Sequence, residues 1–286
     1  MAVADLVRSV RESFRVGWKI ESNWTDPLLF ATYRIVQPLA SLLIVAFIVI
    51  IGASLPGSGL QRDYLARLIV STAFFVYAGQ IITNMGWLVF TDRSRYEVLK
   101  NIYLSPGTLQ AYIVGRGLVA VLNATISVIV TLLFSIAVFN GVLNMKLPIN
   151  LLAVNLLLLV PATLLGIAGL IAVGYMLTAI SIVSNRLEFI MGESIAGIFF
   201  LLGGVIFPTN ALPEAIRPIS ATLPVTYFLD VVRDSFRLGA TGSNPLLDLG
   251  YLALSTLGII LLATFVFNRA ELRAKKLGLF DRKSEY

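Results

Sequence analysis

Residues 151–183 read LLAVNLLLLVPATLLGIAGLIAVGYMLTAISIV, without one Asp, Glu, Lys or Arg. A helix apolar on every side has no stable place in water. The hydrocarbon core of a bilayer accepts about 20 such residues as a helix. The stretch is therefore a membrane span, and a long one. No polar turn divides it in two, and Pro161 with the glycines around it predicts a kink or tilt.

Working outward, five more apolar runs read as spans, at about 35–54, 65–90, 112–139, 189–207 and 246–267. Pro56-Gly57-Ser58-Gly59 closes the first, and the stretch from Asn140-Gly141 to Pro148-Ile149-Asn150 turns the chain between the third and fourth. Between the fifth and sixth, Pro208, Pro213, Pro218 and Pro224 cut the chain into pieces too short to cross and too apolar for water. They predict re-entrant or interfacial half-helices over about 208–238. Residues 5–20 predict an amphipathic helix. Val3, Leu6, Val7, Val10, Phe14 and Trp18 share one face, with Arg8, Arg11, Arg15 and Lys19 beside it. Such a helix suits the lipid headgroup layer, with Trp18 as its anchor. The expected fold is thus an all-α polytopic membrane protein. It has six transmembrane helices, an N-terminal interfacial helix, and half-helices between spans five and six, in one domain over 1–286.

Composition supports a bilayer as solvent, since 57% of the residues are hydrophobic and 13% charged, against about 25% charged in a soluble domain. There is no Cys and no His, which removes disulfides, thiolate chemistry, the usual zinc sites and the commonest general base. The net charge of +6 fits basic loops at a cytoplasmic membrane surface and not a nucleic-acid partner. With the N-terminus inside, 16 of the 22 Lys and Arg fall in cytoplasmic segments and 6 outside, which places both termini in the cytoplasm. No cleavable signal peptide is expected, because the first apolar run begins only after Arg34.

Five places carry residues that could do work. Between spans two and three, Asp92 or Thr91 caps a predicted helix that Pro106-Gly107 stops. On it Val98, Leu99, Ile102 and Tyr103 share a face, and Arg95 and Glu97 add charge. This predicts either a solvated connector or a peg for a cytoplasmic partner. In span two, Gln80, Thr83, Asn84 and Trp87 form one stripe, which should face protein or a cavity. It reads as a translocation pathway or as interhelical glue. In span three, Asn123, Ser127, Thr131 and Ser135 form a stripe of the kind that packs helices. Glu193, about one turn into span five, is an intramembrane carboxylate and hence a functional candidate. Asp230, Arg233, Asp234 and Arg237 alternate in charge at helical spacing. They predict a self-neutralised surface helix more readily than an outer gate.

Several of these stretches resemble one family. Glu97-x-Leu99 followed by Tyr103-Leu104-Ser105-Pro106 is similar to the cytoplasmic motif of the type-2 ABC transporter permeases. Gly204-Val205-Ile206-Phe207-Pro208, then Leu212-Pro213, then Pro224-Val225-Thr226-Tyr227, resembles that family's segment after the fifth span. Ala270 to Leu279, ending Lys276-Leu277-Gly278-Leu279, resembles its basic tail. Tyr96 departs from the pattern, standing where many members have a small residue. The resemblance implies a pore formed by two permease copies, alike or different, with an ATPase docked under each. The loop helix at 92–104 would be the coupling element, through Asp92, Arg95, Glu97, Val98, Leu99, Ile102, Tyr103 and Pro106. Spans two and five would line the pathway, through Gln80, Thr83, Asn84, Trp87 and Glu193. Phe207, Pro208, Pro213, Pro224, Tyr227 and Arg233 would shape the outer segment. The chain carries no G-x-x-x-x-G-K-[ST], so ATP and magnesium would sit on a partner ATPase and this chain would bind no cofactor. Its other partner would be membrane lipid. The alternatives are a secondary transporter or channel and, further off, a membrane-embedded enzyme. The halves show no inverted repeat. For an enzyme there is no D-D-x-x-D pattern, and Ser58 has no base.

Overall fold

The computed structural model describes residues 3–22, 62–105, 107–142, 147–184, 190–206, 209–239 and 244–279, with single positions between 26 and 51. The first predicted span lies largely outside the described residues. So do Pro106, Phe207, Pro208 and the side chain of Arg95.

Nine helices organise what is described. They are α1 (Val3–Ser22), α2 (Arg62–Gly86), α3 (Leu99–Leu104), α4 (Leu109–Ile136), α5 (Leu156–Val183), α6 (Met191–Leu202), α7 (Arg217–Thr222), α8 (Pro224–Ser235) and α9 (Pro245–Leu277). Leu88–Phe90 and a π-turn at Thr91–Arg95 carry α2 onward, and a π-turn at Ala137–Val142 does the same for α4. Four of these helical stretches are long and apolar enough to cross a membrane: Tyr64–Ser94, Leu109–Gly141, Leu156–Val183 and Pro245–Leu277. The chain is an all-α, multi-span membrane protein.

Local chemistry sets the ends. The Thr108 hydroxyl accepts from the Ala111 amide at 3.2 Å and starts α4. The Asn155 side chain accepts from Leu157 at 3.2 Å, so α5 begins at Leu156 and the preceding Leu151–Ala153 forms a separate 3₁₀ turn. That shortens the predicted fourth span to 28 residues, still about 42 Å of helix at 1.5 Å per residue. Asn244 caps α9 in the same way, and Gly278, with φ +64°, ends it. This last helix runs ten residues past the predicted boundary at 267.

The predicted fifth span is the clearest departure. α6 has 12 residues, about 18 Å, too short to cross. It stops at Gly203, and Gly204 turns the chain at φ +73°, a backbone state that glycine adopts without strain. After the turn the chain forms the short helices α7 and α8, where half-helices were expected.

α2 is the centre of the bundle. The apolar part of its stretch is 72% buried inside the chain, against 17% for α9 at the periphery. It packs on α4, α5, α6 and α8, while α9 lies against α5 and α8. Small residues permit the closest crossings. A Cβ on Gly86 of α2 would meet the Gly192 Cα of α6 at 2.6 Å, and one on Gly166 of α5 would meet the Phe228 ring of α8 at 2.5 Å.

α1 packs along α4, with its Ser9 beside Gly107, Ser13 against Gly115, Gly17 against Arg116 and Val119, and Glu21 hydrogen-bonded to Asn123. The two helices therefore run side by side in the same direction. The face toward α4 is Val10, Ser13, Phe14 and Gly17, while Leu6 and Val7 of the predicted apolar face are exposed. Arg8, Arg11, Arg15 and Lys19 point outward, with Arg11 and Arg15 both 3.2 Å from Glu12, and Trp18 is half-buried.

Candidate functional site

The segment after α2 is not one helix over 92–104. The π-turn ends at Arg95, and Glu97 takes a left-handed φ of +51°, which an α-helix does not admit. α3 begins only at Leu99. The bend folds the predicted docking face back onto the protein. Leu99 is 4% exposed, and Val98, Ile102 and Tyr103 are half-buried, with the Lys275 ammonium of α9 5.8 Å from the centre of the Tyr103 ring. What points outward instead is Glu97, Lys100, Asn101 and Leu104, the last 68% exposed.

Between α1 and α3 lies an open groove of about 850 Å³. Arg8, Glu12 and Val16 of α1 line one wall, Asn101 and Ile102 of α3 the other, and Tyr112 of α4 lies at its base. The groove is polar toward Arg8 and Asn101 and apolar toward Val16 and Ile102. Sequence reading named both helices but not the space between them, because that space depends on α1 standing beside α4.

Asp92 lies just behind the groove. It is fully buried, and its Oδ2 accepts from the Tyr112 hydroxyl at 2.8 Å. Its Oδ1 has no hydrogen-bond partner among the described residues. The next residue, Arg93, is 5% exposed and donates to the Ile182 carbonyl at the end of α5 at 3.0 Å. A π-turn thus ties the end of α2 to α4 and α5 at once. Asp92 is not a surface contact, and Tyr112 and Arg93 were missed. The one available signal was a Tyr and an Arg four residues apart, Tyr112 and Arg116, in an otherwise apolar helix start.

The polar stripe on α2 divides. Gln80 donates to the Ser127 hydroxyl of α4 at 2.9 Å and is half-buried. Thr83 and Trp87 flank the close approach of Gly192, where an added Cβ would meet the Thr83 carbonyl at 3.1 Å and Trp87 Cδ1 at 3.2 Å. Asn84 is exposed, as is Glu193 on the next residue of α6. The stripe on α4 is core: Asn123, Ser127, Thr131 and Ser135 are all buried. Thr131 and Ser135 donate back to Ser127 and Thr131 carbonyls.

At the opposite end of α2, α8 is no surface helix. Arg233 donates from Nε to the Ser71 hydroxyl of α2 at 2.6 Å, from Nη1 to Asp230 at 2.7 Å, and from Nη2 to the Gly204 carbonyl in the turn after α6. The ion pair is enclosed, with side-chain exposures of 11% and 18%. The expected self-neutralised surface helix is corrected here, because Arg233 spends its donors on three different segments. Pro224 opens α8, Tyr227 donates to the Ala221 carbonyl at 2.8 Å, and Pro213 is exposed. Among the described residues no group of three or more His, Cys, Asp or Glu is placed to hold a metal ion.

The fold defines a helical, multi-span membrane protein. The sequence profile described as "ABC-2 family transporter protein" matches residues 56–265, and the chain belongs to that family. It is a membrane-spanning domain of the ABC-2 transporter family. No curated protein matched the chain.

Proposed function

We propose that this chain is the permease subunit of an ATP-driven exporter, paired with a second permease copy and powered by separate ATPase subunits docked at the groove between α1 and α3. ATP and magnesium belong to those partners. Both termini and the groove face the cytoplasm, the side with the excess of Lys and Arg. The cargo passes along the α2–α6 face that carries Thr83, Asn84, Trp87 and Glu193, closed by the second copy.

The observation that carries this reading is the groove itself. It is a large open cleft walled by two helices outside the main bundle, and Leu104 on α3, which supplies one wall, is 68% exposed, with Glu97 and Lys100 also exposed on the same segment. An apolar side chain framed by charges gains about 1.5–3 kcal/mol when a partner buries it. The charges set register more than affinity.

The test is co-purification of the ATPase with the permease after co-expression. Leu104→Asp is expected to lower ATPase recovery at least about ten-fold, since a charge would enter an apolar contact worth about 1.4 kcal/mol or more. Leu104→Met should leave recovery intact. Undiminished recovery with Leu104→Asp would remove α3 as the docking element.

A further inference from the structure

We propose that the Tyr112–Asp92 hydrogen bond is the coupling element between the docking groove and the pathway helix, with both side chains acting as positioning residues for transport. The inference rests on the docking reading above. It adds the route by which events in the groove reach α2.

Tyr112 has two surroundings. The residue forms part of the groove lining while only 6% exposed. Its hydroxyl reaches 2.8 Å into the bundle to a carboxylate that is fully buried. A buried carboxylate is costly unless its partners hold it, and the Asp92 carboxylate has this one hydrogen bond among the described residues. The Tyr112 hydroxyl is therefore the hydrogen-bond donor that holds the carboxylate in place. The Arg116 guanidinium, one turn further along α4, is close enough to act on the same charge.

Asp92 in turn sits in a π-turn, where the spare backbone length lets a helix shift register locally. Its carbonyl accepts from the Val98 amide at 2.9 Å, and Val98 also lines the groove. Arg93, the neighbouring residue, holds the Ile182 carbonyl of α5. Pressing on Tyr112 and Val98 from the groove thus moves one turn of backbone. That turn is continuous with α2 on one side and bonded to α5 on the other. A second buried tyrosine provides the contrast. Tyr77 of α2 donates to Thr125 of α4 at 3.0 Å, joining the same two helices without touching the groove.

The chain has no cysteine, so a single thiol can report on it. Gly197 on the open face of α6 is a suitable site, because a Cβ there meets nothing within 4 Å. The maleimide labelling rate of Gly197→Cys is measured in the complex with its ATPase, with and without ATP and vanadate. Nucleotide is expected to change the rate at least about five-fold, in the range of ordinary site-to-site coupling. In Tyr112→Phe and Asp92→Ala, each of which removes one partner of the hydrogen bond, the ATPase should still co-purify and hydrolyse ATP while that ratio falls to near one. Combining the two substitutions should do no more than either alone, since both cut one link. Tyr77→Phe should keep the full response. A response that survives both Tyr112→Phe and Asp92→Ala overturns the inference and leaves docking standing. So does a response lost equally in Tyr77→Phe, which would make the effect one of general packing. No response with Tyr112 and Asp92 intact, in a complex that retains its ATPase, would overturn this inference while leaving docking to the recovery measurement.

Discussion

The two ends of α2 are both polar and both buried, yet they are built in opposite ways. At one end Arg233 has each side of its guanidinium bound to a different segment: Ser71 of α2, Asp230 of α8 and the Gly204 carbonyl after α6. Tyr64 adds a bond to the Ile206 carbonyl at 3.0 Å, and Arg67 one to Leu238 at 2.7 Å. At the other end the Asp92 carboxylate has one hydrogen bond among the described residues, to a tyrosine that also lines an open groove. The first end is over-determined and can only hold. The second is tied to α4 by Tyr112 and to α5 by Arg93, and on the reading proposed above it can be moved from the groove. A helix anchored at one end and adjustable at the other converts a push at its foot into a tilt along its length.

The anchored end should fail hardest when cut. Arg233→Ala strands the enclosed Asp230 carboxylate and should cost about 3–5 kcal/mol, seen as a large loss of thermal stability in detergent. Arg233→Ala with Asp230→Ala should recover part of that loss, since no charge is then left unpaired. A small loss in the single variant would erase the contrast between the two ends.

Next in size is the crossing that lets α6 lie on α2. Gly86→Val places a branched side chain where even a Cβ lies 2.6 Å from the Gly192 backbone. It should cost about 1–3 kcal/mol by overpacking, read from the same thermal transition. Little change would mean that α6 can move away from α2 freely.

At the adjustable end, Tyr112→Phe should cost only about 1 kcal/mol in stability, the ordinary worth of one hydrogen bond. Its effect belongs in coupling and not in folding. A stability loss as large as that of Arg233→Ala would show that this end, too, is an anchor.

The smallest effect separates two residues of one stripe. Gln80→Leu removes the bond to Ser127 and should cost about 1 kcal/mol. Asn84→Leu, at an exposed position, should change stability by under about 0.5 kcal/mol while altering transport. Equal costs for the two would mean that both are packing residues.

Much of the fold was legible because a bilayer imposes simple rules. Charge-free stretches such as 151–183 must span, and the proline-cut stretch before 245 cannot. Asn155 moves a boundary by a few residues only. The site was harder to read, for a physical reason. Helical periodicity says which residues share a face, but not what covers it. Leu99 and Leu104 are equally apolar on paper; a positive φ at Glu97 buries one and exposes the other. Arg233 looked like half of a surface pair because its partners Ser71 and Gly204 lie 162 and 29 residues away. Tyr112 could not be singled out until α1 was seen beside α4, forming the groove that this residue lines.

The central claim is that an ATPase occupies that groove. Asn101 is exposed on its α3 wall, and the chain is free of cysteine. The direct measurement is maleimide labelling of Asn101→Cys in the purified complex and after the ATPase has been stripped, with Leu247→Cys on the exposed side of α9 as the control. Labelling of Asn101→Cys is predicted to slow at least about ten-fold when the ATPase is bound, as expected for a site buried in a specific interface, while Leu247→Cys is unchanged. Equal labelling of Asn101→Cys in both states would contradict the account.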